Sequence, residues 1–326
     1  MRAPIYAGRS RRFTVAPGSL SLPGKNALDV NASGRAGPAQ VPFDVNSGLL
    51  LTAFGPYGQT VLGVEKPMAA SALMTTMFGA ARKAGRSLAR DFGEVEQLQV
   101  SLKGPGNFVT AADTRAEQII YDELSRARHG YSFLMEERGL VEGPDKSHVW
   151  IVDPLDGTTN FLHGIPHFAV SIALQREGEL VAGLIFNPAN GDAFTAERGK
   201  GAFFNDRRIR VAARSRLDDC VIATGIPHRG RDGHEAYLRQ LAAIMTSVSG
   251  IRRLGAAALD LAWVAAGRYD GYWEEGIKPW DIAAGLVILR EAGGFATDVS
   301  GGKRMLETGS ILAGNESVHR ALMKLL

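Results

Sequence analysis

Residues 151–161 read IVDPLDGTTNF, and this short segment constrains the fold more than any other. An apolar run of strand type meets two aspartates, Asp153 and Asp156, three positions apart with Pro154 between them. Proline has no N–H to give to a ladder, so the spacing predicts that the strand breaks at Pro154 and the chain turns. Asp156, Gly157, Thr158 and Thr159 then stand where a helix or tight turn begins. Glycine lets backbone approach a ligand closely, and free N–H groups at such an end suit phosphate. Two carboxylates facing one point repel, which raises a pKa unless cations neutralise them. Hard divalent cations answer that need, and Mg2+ keeps water while binding substrate phosphate. Taken alone, DPLDG reads more simply as a capped surface turn.

The surrounding periodicities are consistent with a layered protein. Leu73, Met77, Ala81, Ala84, Leu88 and Phe92 recur at three- and four-residue spacing, which predicts a helix ending near Gly93. VSLKGPGNFVTAADTRAE predicts a strand, a turn and a helix beginning about residues 110–113, with Ile119, Ile120 and Leu124 as its apolar stripe. YSFLMEE, residues 131–137, predicts a short strand ending in two glutamates. Residues 167–211 alternate Val, Ile, Phe and Leu runs with turn signals, as an antiparallel meander does. CVIATGI and YDGYWEEGI read as strands, and GAAALDLAWVAAG and DIAAGLVILREAGG as helices closed by glycine. A meander followed by mixed elements predicts an α+β architecture in layers.

Composition sets the outer bounds. The chain has 326 residues, 45% hydrophobic and 22% charged, enough for one large domain or two intimate halves. We expect those halves at residues 68–214 and 215–326. Cys220 is the one cysteine, which excludes an internal disulfide and points to a reducing, cytoplasmic setting. We read its thiol as a core filler. The longest apolar candidates, residues 49–51 and 282–289, fall far short of the ~20 residues that cross a bilayer. The seven histidines show no HExxH or Cys/His spacing, which argues against zinc.

The pI near 9.0 suggests nucleic acid until the charge is placed. Residues 1–67 hold seven Lys and Arg against three acids, whereas the remainder holds 30 basic and 31 acidic residues. The basic segment also holds seven of the 14 prolines and lacks periodicity, so we expect a poorly ordered extension. It reads as a transit peptide, as a basic arm, or as sequence upstream of an initiator at Met68. The last is our reading, because a helix pattern starts just after Met68. Nucleic-acid or RNA polymerase binding gains no support from the nearly neutral body.

Acids stand at element ends elsewhere: Asp113 opens a helix, Glu136 and Glu137 close a strand, and Asp281 follows Trp280. In order, LMEE, DPLDGTTNF and WDIAAG resemble the inositol monophosphatase family of Mg2+-dependent, lithium-sensitive sugar phosphatases, whose signatures have the forms DPxDGTxNF and WDxAAG. The resemblance runs from about Met68 to the C-terminus. RRLGAAALDLAWVAAGRYDGYWE resembles most the bacterial extragenic-suppressor type.

That resemblance implies a layered α/β/α/β/α sandwich, a homodimer, and hydrolysis of myo-inositol monophosphate or a related polyol phosphate with two to three Mg2+ ions. It implies that Glu136, Asp153 and the Leu155 carbonyl hold a first metal, and Asp153, Asp156 and Asp281 a second. Asp113 and Thr158 match the pair that orients and deprotonates a water. The Gly157 and Thr158 amides match a phosphate cradle. Glu274, seven residues before Asp281, matches a sugar-hydroxyl acceptor, and Gly255, Ala256 and Ala257 match the stretch beside the inositol. The charges agree: Glu136, Asp153, Asp156, Asp281, Asp113 and a dianionic phosphate carry about −7, and three Mg2+ about +6.

Met135 stands where the family often has glycine, and Ala256 replaces the threonine of its GTAA stretch, which bears on substrate preference. We read Glu137 as solvated or as a neighbour that supports the metal-holding acids, and Trp280 as a core residue that fixes Asp281. Arg252 and Arg253 read equally as pocket-flanking groups or as strand-end ion pairs. Fructose-1,6-bisphosphatase, nucleotidase and histidinol phosphatase activities are rival readings on a related fold. A binding factor for the RNA-synthesis machinery is the rival of another class.

Overall fold

The fold is that of a computed structural model, which describes residues 71–93, 100–104, 107–228 and 230–326. The expected extension over residues 1–67 lies outside them. Helix α1 (Ala72–Phe92) starts at Ser71, whose hydroxyl accepts from the Met74 amide, the N-cap bond that serine provides best. Its predicted stripe is real: Met77, Ala81, Ala84 and Leu88 are buried. The hairpin β1 (Val100–Gly104) and β2 (Asn107–Thr110) leads into α2 (Ala111–Ala127).

Eight strands form the larger sheet: β3 (Tyr131–Met135), β4 (Gly139–Val141), β5 (Asp145–Asp156), β6 (Ala169–Arg176), β7 (Glu179–Phe186), β8 (Ala193–Glu197), β9 (Gly201–Phe204) and β10 (Arg207–Ile209). Their order, β10-β9-β8-β7-β6-β5-β3-β4, is the predicted meander carried on by a parallel β3–β5 pair. The short α3 (Thr158–Leu162) links β5 to β6. In the second half come β11 (Val221–Thr224), α4 (His234–Met245), β12 (Gly250–Arg252), α5 (Ala257–Ala265), β13 (Gly271–Glu275), α6 (Pro279–Glu291), β14 (Phe295–Thr297), α7 (Met305–Thr308), β15 (Ser310–Gly314) and α8 (Glu316–Leu322). Their five strands make a second sheet in the order β12-β11-β13-β15-β14.

Side-chain alternation sorts the layers. On β5, Trp150 and Val152 enter the core shared with α1 and α2, whereas Ile151 enters the core shared with α5 and α6. On β13, Tyr272 faces α5 and α6, and Trp273 faces α4 and α8. Period-two alternation on both sheets therefore yields five layers, α/β/α/β/α, as the resemblance implied. Helix α6 lies between the sheets, so residues 282–289 are buried all round. That is why they read as an unbroken apolar run. Cys220 is fully buried, as expected of a core filler. No helix among the described residues is long and apolar enough to cross a membrane.

Two local expectations need correction. Strand β5 does not break at Pro154 but runs on to Asp156. Its ladder with β6 slips between Asp153↔Ser171 and Asp156↔Ala169, so one extra residue is taken up there. Such a bulge absorbs a residue that cannot donate to a ladder without ending the strand. Strand β3 stops at Met135, so both glutamates lie in the turn beyond it.

Candidate active site

The slipped segment of β5 is held by its own side chains. Asp153 Oδ1 accepts the Leu155 amide at 2.8 Å, closing a tight turn over Pro154. Asp156 Oδ2 accepts the Ala258 amide of α5 at 2.8 Å, which ties the two sheets' layers together at this point. Gly157 follows with φ 89°, and a Cβ there would meet His167 O at 3.0 Å and Ala256 Cβ at 3.3 Å. Both the left-handed backbone and the close approach demand glycine. Thr158 Oγ1 donates to the Leu155 carbonyl at 2.9 Å. Asn160 Nδ2 donates to His167 O at 2.7 Å and to Leu254 O at 2.8 Å, pinning this turn to the loop that precedes α5.

Asp281 reaches the same place from the first turn of α6, where its Oδ2 accepts the Lys278 amide at 2.7 Å. Burial pushes the Asp153 carboxyl well above the ordinary aspartate range, and the neighbouring charges of Glu136, Asp156, Asp281 and Asp113 push it further. Burial and then Asp281 do the same to Asp156. Asp281 is raised to about 7, chiefly by burial, with the Lys278 amide pulling the other way. Among the described residues no Lys or Arg ion pair involves Asp153, Asp156 or Asp281. The donors are carboxylate oxygens that raise one another's pKa, a set that suits hard divalent cations. The residues present therefore fit Mg2+.

Every predicted site residue except Asp113 lines one cavity of about 770 Å3. Asp113 lies fully buried in α2. One carboxylate oxygen each of Asp113, Glu136 and Glu137 lie within 4.8 Å of one another. Of the two readings of Glu137, solvated or supporting the ligand acids, the second agrees with this position beside Asp113 and Glu136. Trp280 packs against the central core, and its carbonyl accepts from Ser171 Oγ at 3.2 Å, while its side also lines the cavity. Arg253 lines the cavity and Arg252 does not.

The predicted acceptor Glu274 is pushed up by burial, but the groups around it were missed: the Tyr272 hydroxyl donates to its Oε2 at 2.5 Å. Tyr272 and Glu274 are two apart on a strand and so share a face, a signal the sequence did carry. Gly225 leaves space for that carboxylate: a Cβ there would fall 1.8 Å from Glu274 Cδ. Asp260, Tyr237 and Arg231 also line the cavity. They come from three separate segments, and no local pattern marks them.

Against known proteins, the sequence model of the inositol monophosphatase family matches residues 70–326. The protein named inositol-1-monophosphatase of Mesorhizobium japonicum is 65% identical over 257 residues, covering 79% of this chain and 97% of that one. The Nus factor SuhB of Pseudomonas aeruginosa is 43% identical over 248 residues, 75% of this chain and 92% of its own. The crystal structure of extragenic suppressor protein suhB from Bartonella henselae superposes with a TM-score of 0.77 at 60% identity, covering 78% of this chain and 98% of that chain. Five layers, a carboxylate cavity at the slipped strand β5 and a family match over nearly all the described residues lead to one conclusion: this chain belongs to the inositol monophosphatase family.

Proposed function

We propose that this phosphatase hydrolyses myo-inositol monophosphate, or a related polyol phosphate, to the alcohol and phosphate by direct attack of water. The observation that carries the reading is the convergence of Glu136, Asp153, Asp156, Asp281 and Glu274 on one cavity beside the Gly157–Thr158 turn. Glu136, Asp153, the Leu155 carbonyl, Asp156 and Asp281 would hold two to three Mg2+ ions. When bound, the ions supply charge that lowers the pKa of water, neutralises the ester and stabilises the leaving alkoxide.

The chain's own groups do the rest. The proton of Thr158 Oγ1 is committed to the Leu155 carbonyl, which leaves the hydroxyl oxygen to accept from a water. A carbonyl has two lone pairs, so that bond is compatible with a ligand role for Leu155. Asp113, buried beside Glu136, is the group we assign to take the proton with Thr158. The Gly157 and Thr158 amides receive the phosphate oxygens. Gly255, Ala256 and Ala257 form the wall beside the alcohol, and Glu274 accepts from one of its hydroxyls. Residues 68–326 form the catalytic unit, as two halves meeting near residue 214, and we assign a homodimer as in the resemblance.

Phosphate release across a panel of monoesters with Mg2+ tests the reading. We expect inositol phosphate to lead fructose bisphosphate, nucleotide and histidinol phosphate substrates. Full turnover in excess chelator would overturn the mechanism. A second reading, a binding factor for the RNA-synthesis machinery, is favoured only by the names of relatives, the Nus factor SuhB of Pseudomonas aeruginosa and of Vibrio cholerae among them. Salt-dependent RNA binding by residues 68–326 would support it.

A further inference from the structure

Asp260 has no part in the chemistry described so far. It sits in the first turn of α5, one turn beyond Ala256 and Ala257. The residue is only 2% exposed, yet it lines the cavity. Its Oδ1 is buried and has no hydrogen-bond partner among the described residues. A buried carboxylate oxygen without a partner is costly, and native proteins retain such atoms where something outside the chain completes them. The charged groups that act on it are Glu274, Asp156 and Arg253. It therefore shares the cavity wall with Asp156 and Glu274, near enough to feel the charge of each.

Asp153, by contrast, spends Oδ1 on the Leu155 amide and Asp156 spends Oδ2 on the Ala258 amide. Glu274 spends Oε2 on Tyr272. Asp260 differs in having a fully buried oxygen to which the described residues give no hydrogen bond, on a residue that lines the cavity from α5. A phosphorylated polyol carries several adjacent hydroxyls, each able to donate and accept, and a single acceptor addresses one of them. Resting on the polyol-phosphatase reading above, we propose that Asp260 binds a second hydroxyl of the substrate and, together with Glu274, selects polyol phosphates over simple phosphate esters. A site built to hydrogen-bond a hydroxyl rejects an ester that lacks it, because its buried polar groups are then left unpaired.

The test compares Asp260→Ala and Asp260→Asn with the unaltered chain, with Mg2+, on myo-inositol 1-phosphate and on p-nitrophenyl phosphate. For Asp260→Ala we expect KM on inositol phosphate to rise about tenfold more than KM on the aryl ester, with kcat on the two substrates moving together. Asp260→Asn keeps the shape and one acceptor oxygen, and should fall between. Melting curves of each variant with Mg2+ check that the fold survives. Should Asp260→Ala fail to fold, Asp260→Asn carries the comparison. An equal loss on both esters would show a structural role and overturn the proposal, as would no change on either. If the unaltered chain turns over the aryl ester but not inositol phosphate, the substrate reading has failed and takes this inference with it. If it turns over both and the Asp260 variants keep its preference between them, the inference alone has failed.

Discussion

The Tyr272 hydroxyl donates to Glu274 Oε2 at 2.5 Å, so the group assigned to the substrate's alcohol is aimed by its neighbour two residues back on the same strand. Glu274 is otherwise approached by Arg231 Nη1 at 4.0 Å. Tyr272→Phe should loosen that aim and remove one charge-assisted bond, worth about 1.5–3 kcal/mol at most. We expect KM for inositol phosphate to rise severalfold with a smaller effect on an aryl phosphate. Glu274→Gln should act in the same direction and more strongly. Equal losses on both substrates would remove the pair from substrate choice.

Gly225 and Glu274 make a steric prediction. A methyl group at residue 225 would overlap the Glu274 carboxylate, whose Cδ lies 1.8 Å from that position. Backbone conformation is no obstacle there, because Gly225 is not among the glycines with positive φ. Gly225→Ala should therefore swing Glu274 aside and reproduce the substrate-selective loss of Glu274→Gln, with about 1–3 kcal/mol of destabilisation from overpacking. Steady-state kinetics on the two substrates and a thermal melt decide it; unaltered selectivity would count against the placement of Glu274.

Asp153 is buried and electrostatically linked to Glu136, Asp156, Asp281 and Asp113. Asp153→Asn removes a carboxylate from the centre of the proposed metal site, and should abolish turnover on every phosphate ester. The same change relieves repulsion among buried acids, so the metal-free variant should melt no lower than the unaltered metal-free chain. Calorimetric titration with Mg2+ should show at least one ion's binding lost.

Asp281 makes the metal effect depend on pH. Its folded pKa of about 7 lies above the ordinary aspartate value, so the folded, metal-free chain holds a proton that the unfolded chain has released. Its contribution to stability is complete below about pH 4 and is lost as pH rises through about 7. On the proposed reading Asp281 would give up that proton to hold Mg2+, so binding of the ion should tighten as the proton leaves. The rise in Tm on adding Mg2+ should thus be larger at pH 8 than at pH 5.5. A rise of the same size at both values would show that Asp281 does not release a proton when the ion binds.

Much of this protein could be read without coordinates, for local reasons. The stripe of α1, the alternation of the meander and the glycines that close helices α5 and α6 are statements about neighbours in the chain, where backbone geometry sets the period. The acids of DPLDG and WD were visible because each is set by its own turn or helix start. Pro154 was misread because a proline's missing donor has two remedies, an end or a bulge, and pairing with β6 selects the bulge. Between its two readings Glu137 could not be decided, since its approach to Asp113 depends on how the end of β3 meets α2. The same holds for Gly225 beneath Glu274 and for the open oxygen of Asp260: each is defined by a surface from a distant part of the chain. Spacing along a strand or helix is covalent and can be counted; which buried atom finds no partner is settled only when the layers close on one another.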